Sequence, residues 1–415
     1  MLGLWIALLP VLGGALAATQ ELRLPVGIQF TCVDQEAIGY ATFQSHNQKV
    51  LVNRKGIFLT YLRRRNEAYT AQEWRLMRSI DGGQTFSVVY DATHATNPPV
   101  METDAEDNVY LVRSDFLDGN AYLFRFLASR DYQEPILTPI PGGAAGKYCM
   151  SIDPERRLLY YFAHNNTFHI LSMSGEVLSS RTLIKDGPDA CLQYPHLFLD
   201  QAGVLHIAWT SLKHGEYLYW DIHYMASRDG GKTWQAMNGT PIDIPVTADQ
   251  TSQADRITLD DEFSIHTWLS SFRVENGKAH FLYLAQTNPG RQHYVRYDLE
   301  SGKRDRDFYP DFHGDQISVA GLDGFFAGNR AQINGPLFCV HSSQGRLACL
   351  VSNDKGDTWH DYALSQETFR PYAIGGCREV TPAGEIIGTF TDQLAPGTSS
   401  GGRCPVYFFK VARQE

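Results

Sequence analysis

Ser79-Ile-Asp-Gly-Gly-Gln-Thr-Phe86 is the stretch that decides the fold, because the chain repeats it twice, as Ser227-Arg-Asp-Gly-Gly-Lys-Thr-Trp234 and Ser352-Asn-Asp-Lys-Gly-Asp-Thr-Trp359. All three read Ser-x-Asp-x-Gly-x-Thr-aromatic, and three copies of one eight-residue pattern in 415 residues are not chance. The pattern describes a turn. An Asp carboxylate accepts hydrogen bonds from nearby main-chain amides, Gly supplies a positive φ, and the aromatic tucks back into an apolar layer. A turn repeated at long intervals means a repeated supersecondary unit.

Working outward, residues 2–18 form an apolar run ending Ala15-Leu-Ala17, the form of a signal-peptide core and its cleavage site. We therefore expect a signal peptide over residues 1–17, a single domain over 18–415, and a secreted or periplasmic protein. An N-terminal anchor is the alternative, but the run is short for a span and has no basic flank. After cleavage no membrane association is expected. Aromatics reach 12%, and short β-rich runs recur between turn signals without any linker or charge run, an all-β composition. A net charge of −10 argues against nucleic acid as a partner but permits an acidic polysaccharide or oligosaccharide, provided positive charge is concentrated locally. The seven cysteines are an odd number, so at least one thiol is unpaired within the chain. Cys339 and Cys349 flank the turn-like Ser342-Ser-Gln-Gly345 and could be bridged across a hairpin. Sequons stand at Asn165 and Asn238.

The repeated octapeptide resembles the Asp box of sialidase-like β-propellers, which there forms the turn between the third and fourth strands of a blade, at the rim. Between the boxes runs a looser repeat, in which a few polar or aromatic residues open a strand, a turn follows, and a second strand ends in aromatics. Its openings fall at His46, Asn97, Lys147, Tyr194, His266, Gly324 and Arg378, spaced 51, 50, 47, 72, 58 and 54 residues apart. A four-stranded blade needs about that length. The expected fold is a seven-bladed β-propeller of four-stranded antiparallel blades, with a six-bladed sialidase-type propeller as the alternative. The long fourth interval implies a loop insertion around residues 241–262.

Residues that open a blade converge near the central axis, so chemistry is sought there. Histidine is the usual general acid or base near neutral pH, and His46, His164, His196, His214 and His266 all stand at or just beyond the ends of inner strands. Tyr148 and Tyr194 could act as phenolic acids or as walls against which a sugar stacks. Lys49, Lys147, Lys213, Arg256 and Arg378 could supply positive charge. The spacings H-E-x-x-H, C-x-x-C and the EF-hand loop are absent, so no cofactor is expected; calcium in the channel is conceivable but not signalled.

Two passages, Ser45-His46-Asn47 and Gln193-Tyr194-Pro195 followed by Asp221-Ile-His-Tyr-Met-Ala-Ser-Arg-Asp-Gly-Gly-Lys-Thr-Trp234, resemble one branch of these propellers, the BNR-4 repeat proteins. That branch includes ulvan lyases and enzymes that attack the bond between L-rhamnose and D-glucuronic acid. The resemblance implies a central His with a Tyr and a basic residue, matching His46 and Tyr194. The family's aromatic-Arg pair is replaced here by Ala208-Trp-Thr210, with Lys213 and His214 following. The expected function is a secreted enzyme that cleaves a uronate-containing polysaccharide by β-elimination. Catalysis is assigned to His46, Tyr194, His214 and His266, and substrate binding to Asn47, Asn97, Lys147, Tyr148, His164, His196, Lys213 and Arg378. A rhamnosidase, a sialidase-like hydrolase and a non-catalytic glycan-binding propeller are the alternatives, and a monomer is expected.

Overall fold

A computed structural model describes residues 26–44, 47–64, 72–262, 264–286, 291–309, 324–393 and 402–413. The chain makes seven antiparallel blades whose innermost strands are Val50–Asn53, Val100–Thr103, Tyr148–Asp153, Ala190–Leu199, Thr267–Glu275, Gly324–Ala327 and Pro371–Gly376, and these open blades 1 to 7 in that order. The propeller is therefore seven-bladed, not six-bladed.

Burial explains why the strands sit in this order. Inner and middle strands face neighbouring blades on both sides, and Tyr148–Asp153 and Tyr219–Ser227 are buried at every position. Outer strands face water on one side, and Val177–Thr182 alternates half-buried with exposed throughout. The ring is closed by the two ends of the chain. Val26–Ile38 pairs antiparallel with Arg403–Arg413 and becomes the outermost strand of blade 7.

Blade 4 carries the expected insertion. Its third strand, Tyr219–Ser227, pairs with Trp234–Gln235 and again with Asp255–Arg256, while Val246–Thr247 runs parallel to Ile184–Lys185. Blade 7 is phased differently from the sequence reading. Its inner strand begins at Pro371, so Arg378 lies beyond the end of that strand and does not open it. The glycines of Gly375-Gly376 disguise the strand, and one of them is obligatory: a Cβ on Gly376 would come within 2.1 Å of the Phe325 ring of blade 6.

The three repeated turns join third and fourth strands, and each uses the same bonds. Asp229 Oδ1 accepts from the Thr233 amide at 2.9 Å and Oδ2 from the Thr233 hydroxyl at 2.7 Å, while Ser227 Oγ accepts from the Gly231 amide at 2.8 Å. Asp81 with Thr85 and Asp354 with Thr358 repeat the arrangement. Burial raises the Asp229 carboxyl, but its bonds to Thr233 and Ser227 outweigh that and hold it at about 2. Each turn docks on the preceding blade. A Cβ on Gly83 would meet Phe408 at 2.3 Å, on Gly231 Phe168 at 2.9 Å, and on Gly356 the Tyr294 hydroxyl at 2.1 Å. Phe86, Trp234 and Trp359 then pack on those same three rings.

All seven cysteines are free. The suggested Cys339–Cys349 bridge is corrected by the register: Cys339 lies opposite Leu350, and Cys349 opposite Val340. Being out of register by one residue, the two side chains point to opposite faces of blade 6 and enter different apolar clusters.

Candidate active site

In an up-and-down blade, the start of the inner strand and the turn between the second and third strands share one face of the ring. The Asp-box turns lie on the other. The first face, the mouth, gathers Asn97, Lys147, His164, Tyr194, His214 and His266 from blades 2 to 5.

Tyr194 sits in a bulge. The ladder between Ala190–Leu199 and Leu205–Lys213 slips between Gln193 and Pro195, leaving Tyr194 without an opposite residue. Its φ of 37° is left-handed, a conformation an aromatic residue rarely adopts. Strain of this kind costs on the order of 1–3 kcal/mol and collects at functional sites. The ring is fixed by stacking on Trp268 at 4.0 Å and by edge contacts with Phe43 and Tyr219. Its hydroxyl lies 3.3 Å from that of Tyr219, which lies 3.2 Å from that of Tyr217. Burial, reinforced by the neighbouring phenols, pushes the Tyr194 hydroxyl far above its usual range, so it is a proton donor at any ordinary pH.

Lys147 Nζ lies 4.9 Å over the Tyr194 ring and donates to Gln193 Oε1. Burial brings its ammonium down to about 8. A half-buried cation at the mouth is thus still mainly charged at neutral pH and loses its charge as pH rises through about 8.

The hydrogen-bond partners fix the tautomers of three histidines. His164 Nδ1 accepts from the Lys147 amide at 3.2 Å, and His266 Nδ1 accepts from the Tyr219 amide at 3.1 Å. When neutral, both present an Nε2–H. Burial, with the Lys147 charge beside it, lowers His164 to about 4, and burial lowers His266 as well. His214 is the reverse case: its Nδ1–H donates to the Pro188 carbonyl at 3.2 Å, leaving Nε2 as an acceptor on an exposed side chain.

On the blade 1 and 2 side, Phe43 separates Tyr194 from a pocket of about 380 Å³ lined by Tyr40, Phe116, Tyr372, Asn97 and Gly146 among others. Asn97 Nδ2 donates to the Gly146 carbonyl, which Gln44 Nε2 also reaches at 2.6 Å.

Other residues named from sequence lie elsewhere. Tyr148 is buried with its hydroxyl on the Asn97 carbonyl at 3.0 Å. His196 Nε2–H donates to the Leu269 carbonyl at 3.1 Å, pinning blade 4 to blade 5, and burial followed by the Arg378 charge lowers it to about 3. Arg378 meets Glu102 at 3.3 Å inside the channel, where burial raises the Glu102 carboxyl. The channel beside them narrows to a cavity of about 20 Å³ lined also by Asn47 and His196, room for about one water. Asn47 is buried, its Oδ1 accepting from Lys49 Nζ at 2.9 Å. Lys213 ends the second strand of blade 4 beside His214 and so stands on the mouth side, but it is engaged there by Glu216 at 2.9 Å and lies over Trp220. His46 lies outside the described residues. Gln193 entered the sequence reading only as part of Gln193-Tyr194-Pro195, and Phe43, Tyr217, Tyr219, Trp268 and Tyr372 were not named from sequence. Only Trp268 carried a signal, standing two residues beyond His266 on the same strand opening.

Among the described residues no group of three or more His, Cys, Asp or Glu is placed to hold a metal ion. Residues 150–306 match the family described as "BNR repeat-containing family member". No curated protein matches the chain by sequence. Among solved structures, the fold is similar to that of a polysaccharide lyase described as a PL25 ulvan lyase, with a TM-score of 0.62 at 11% identity over 91% of this chain and 95% of that one. That lyase has also been solved bound to -[GlcA(1-4)Rha3S]-. The polysaccharide lyase Uly1 matches with a TM-score of 0.57 at 10% identity, over 93% of this chain and 99% of that one. At such identities the likeness is one of fold.

Proposed function

Taking as premise a BNR-repeat propeller with the fold of the ulvan lyases, we propose that this chain is a carbohydrate-active enzyme, exported from the cell, that cleaves a uronate-containing polysaccharide by β-elimination at the mouth of the ring. The observation that carries the reading is the placing of Lys147 over the strained Tyr194 ring, beside imidazoles of defined tautomer.

The chemistry needs three things. The proton α to the carboxylate is barely acidic until the carboxylate's charge is met; a base must then take that proton; and the leaving glycosidic oxygen must be protonated as its carbon–oxygen bond breaks and the ring double bond forms. Lys147 meets the carboxylate, aided by the Nε2–H groups of His164 and His266. It supplies the cation that the missing aromatic-Arg pair leaves wanting. Tyr194, protonated and pinned, gives its proton to the leaving oxygen. Two residues are candidates for the base: His214, whose Nε2 is left as an acceptor on the mouth side of blade 4, and His46, which the sequence resemblance offers.

The test is incubation with polysaccharides in which a uronate alternates with a neutral sugar, following ultraviolet absorbance of the unsaturated product and, in parallel, new reducing ends. Absorbance rising with reducing ends supports elimination. Reducing ends without absorbance would make the enzyme a hydrolase, and neither signal would leave a binding protein. Comparing His214→Ala with His46→Ala assigns the base: the variant that loses turnover while retaining substrate binding identifies it.

A further inference from the structure

We propose that the aromatic pocket at the mouth is a subsite for an uncharged sugar ring, seated next to the acidic sugar that Lys147 holds; the second clause rests on the function proposed above. The pocket's volume of about 380 Å³ lies within the range of small-molecule sites. Phe43 and Tyr372 have their planes within 7° of each other, their centroids 6.2 Å apart, and so present nearly parallel ring faces. Parallel ring faces suit the C–H face of a sugar, which is apolar while its hydroxyls point outward.

Phe116, at the tip of the turn between the second and third strands of blade 2, is 50% exposed and lines the same pocket. A large apolar ring held in water at the lip of a concave site is the side chain a ligand would cover.

The described lining is uncharged. Its polar groups are engaged in holding the walls: Tyr40 donates to Gln72 Oε1 at 3.1 Å, Thr96 Oγ1 to the Ala145 carbonyl at 2.8 Å, and Asn97 Nδ2 to the Gly146 carbonyl. A sulfate or carboxylate placed here would lose water and gain no counter-charge, whereas a neutral ring would lose little. Gly146 joins the two halves of the mouth. A Cβ there would stand 3.5 Å from His164 and 3.6 Å from Phe116, in the space between the pocket and the Lys147–His164 pair. The site is therefore divided into a neutral aromatic half and a cationic half, matched to a polymer in which uncharged and acidic sugars alternate.

The experiment is calorimetric binding of two polymers: an alternating uronate and neutral-sugar polysaccharide, and the same polymer with its carboxylates reduced to alcohols. Phe116→Ala, on an exposed side chain, is expected to weaken binding of both by about tenfold. Tyr372→Leu should do the same, and Lys147→Met should weaken only the acidic polymer. Unchanged affinity for both polymers in folded Phe116→Ala and Tyr372→Leu overturns the subsite, as does a wild-type protein that binds neither polymer. Binding of the reduced polymer with none of the acidic one leaves the subsite standing and removes the proposed function.

Discussion

Burial brings the Lys147 ammonium down to about 8, so its charge disappears within a pH range open to assay. The sign follows directly. Below that value Lys147 is positive and can meet a carboxylate; above it, it cannot. Turnover of an acidic polymer is expected to fall as pH rises through about 8, with Lys147→Arg carrying that limb to higher pH. Lys147→Met should cost roughly 100-fold or more in kcat/KM. Folding runs the other way. The unfolded lysine, titrating near ~10.4, holds a proton that the folded one has shed, so stability attributable to this residue rises as pH climbs from about 8 toward that value. A pH–rate profile and a pH series of denaturant midpoints check the two halves separately. Much of this site was legible residue by residue. Lys147, Asn97 and His266 lie at the openings of inner strands, where the repeat pointed. The rest was hidden because Phe43, Tyr217, Tyr219 and Tyr372 come to Tyr194 and the pocket from other strands and turns, through contacts that no local pattern encodes. The bulge at Tyr194 was equally hidden, since a single-residue slip in a ladder leaves the alternation of side chains almost unchanged.

At the scale of the element, the Asp box is a docking device between blades more than a free-standing turn. Its glycine is doubly required, by φ and by the aromatic ring of the preceding blade, and the two requirements can be separated. Gly277 has a φ of 74° with nothing within 4 Å of its added Cβ, whereas Gly83 has a φ of 93° and would strike Phe408 at 2.3 Å. Gly277→Ala is expected to cost about 1 kcal/mol from backbone strain alone. Gly83→Ala should cost about 2–4 kcal/mol, since overpacking is added to that strain. Denaturant unfolding of the two variants checks the difference, and equal costs would show that the dock contributes nothing. The octapeptide revealed the turn correctly because the bonds of Asp81, Asp229 and Asp354 are all local. It could not reveal the partners Phe408, Phe168 and Tyr294, which lie on other blades.

At the scale of the molecule, the ring is held shut by Val26–Ile38 on Arg403–Arg413, a pairing of the two ends of the chain. Counting repeats from His46 onward found seven blades but missed that the last borrows its outer strand from the front, and it misplaced the start of that blade at Arg378. A protein lacking residues 26–38 would leave Arg403–Arg413 as a bare edge in an unclosed ring. It is expected to lose cooperative thermal unfolding and to self-associate, which calorimetry and sedimentation would detect; a stable, monomeric, cooperatively melting variant would refute the role given to that strand. Closure also brings the mouth together, since residues from blades 1 to 5 and blade 7 meet around Phe43 and Tyr194. The central claim is that this mouth eliminates across a uronate whose carboxylate Lys147 neutralises. Its most direct test follows ultraviolet absorbance as wild type and Lys147→Met act on an alternating uronate polymer and on its carboxyl-reduced form. The account predicts an unsaturated product from wild type on the acidic polymer alone, and little or none from Lys147→Met. Equal rates from the two proteins, or cleavage of the reduced polymer, would contradict it.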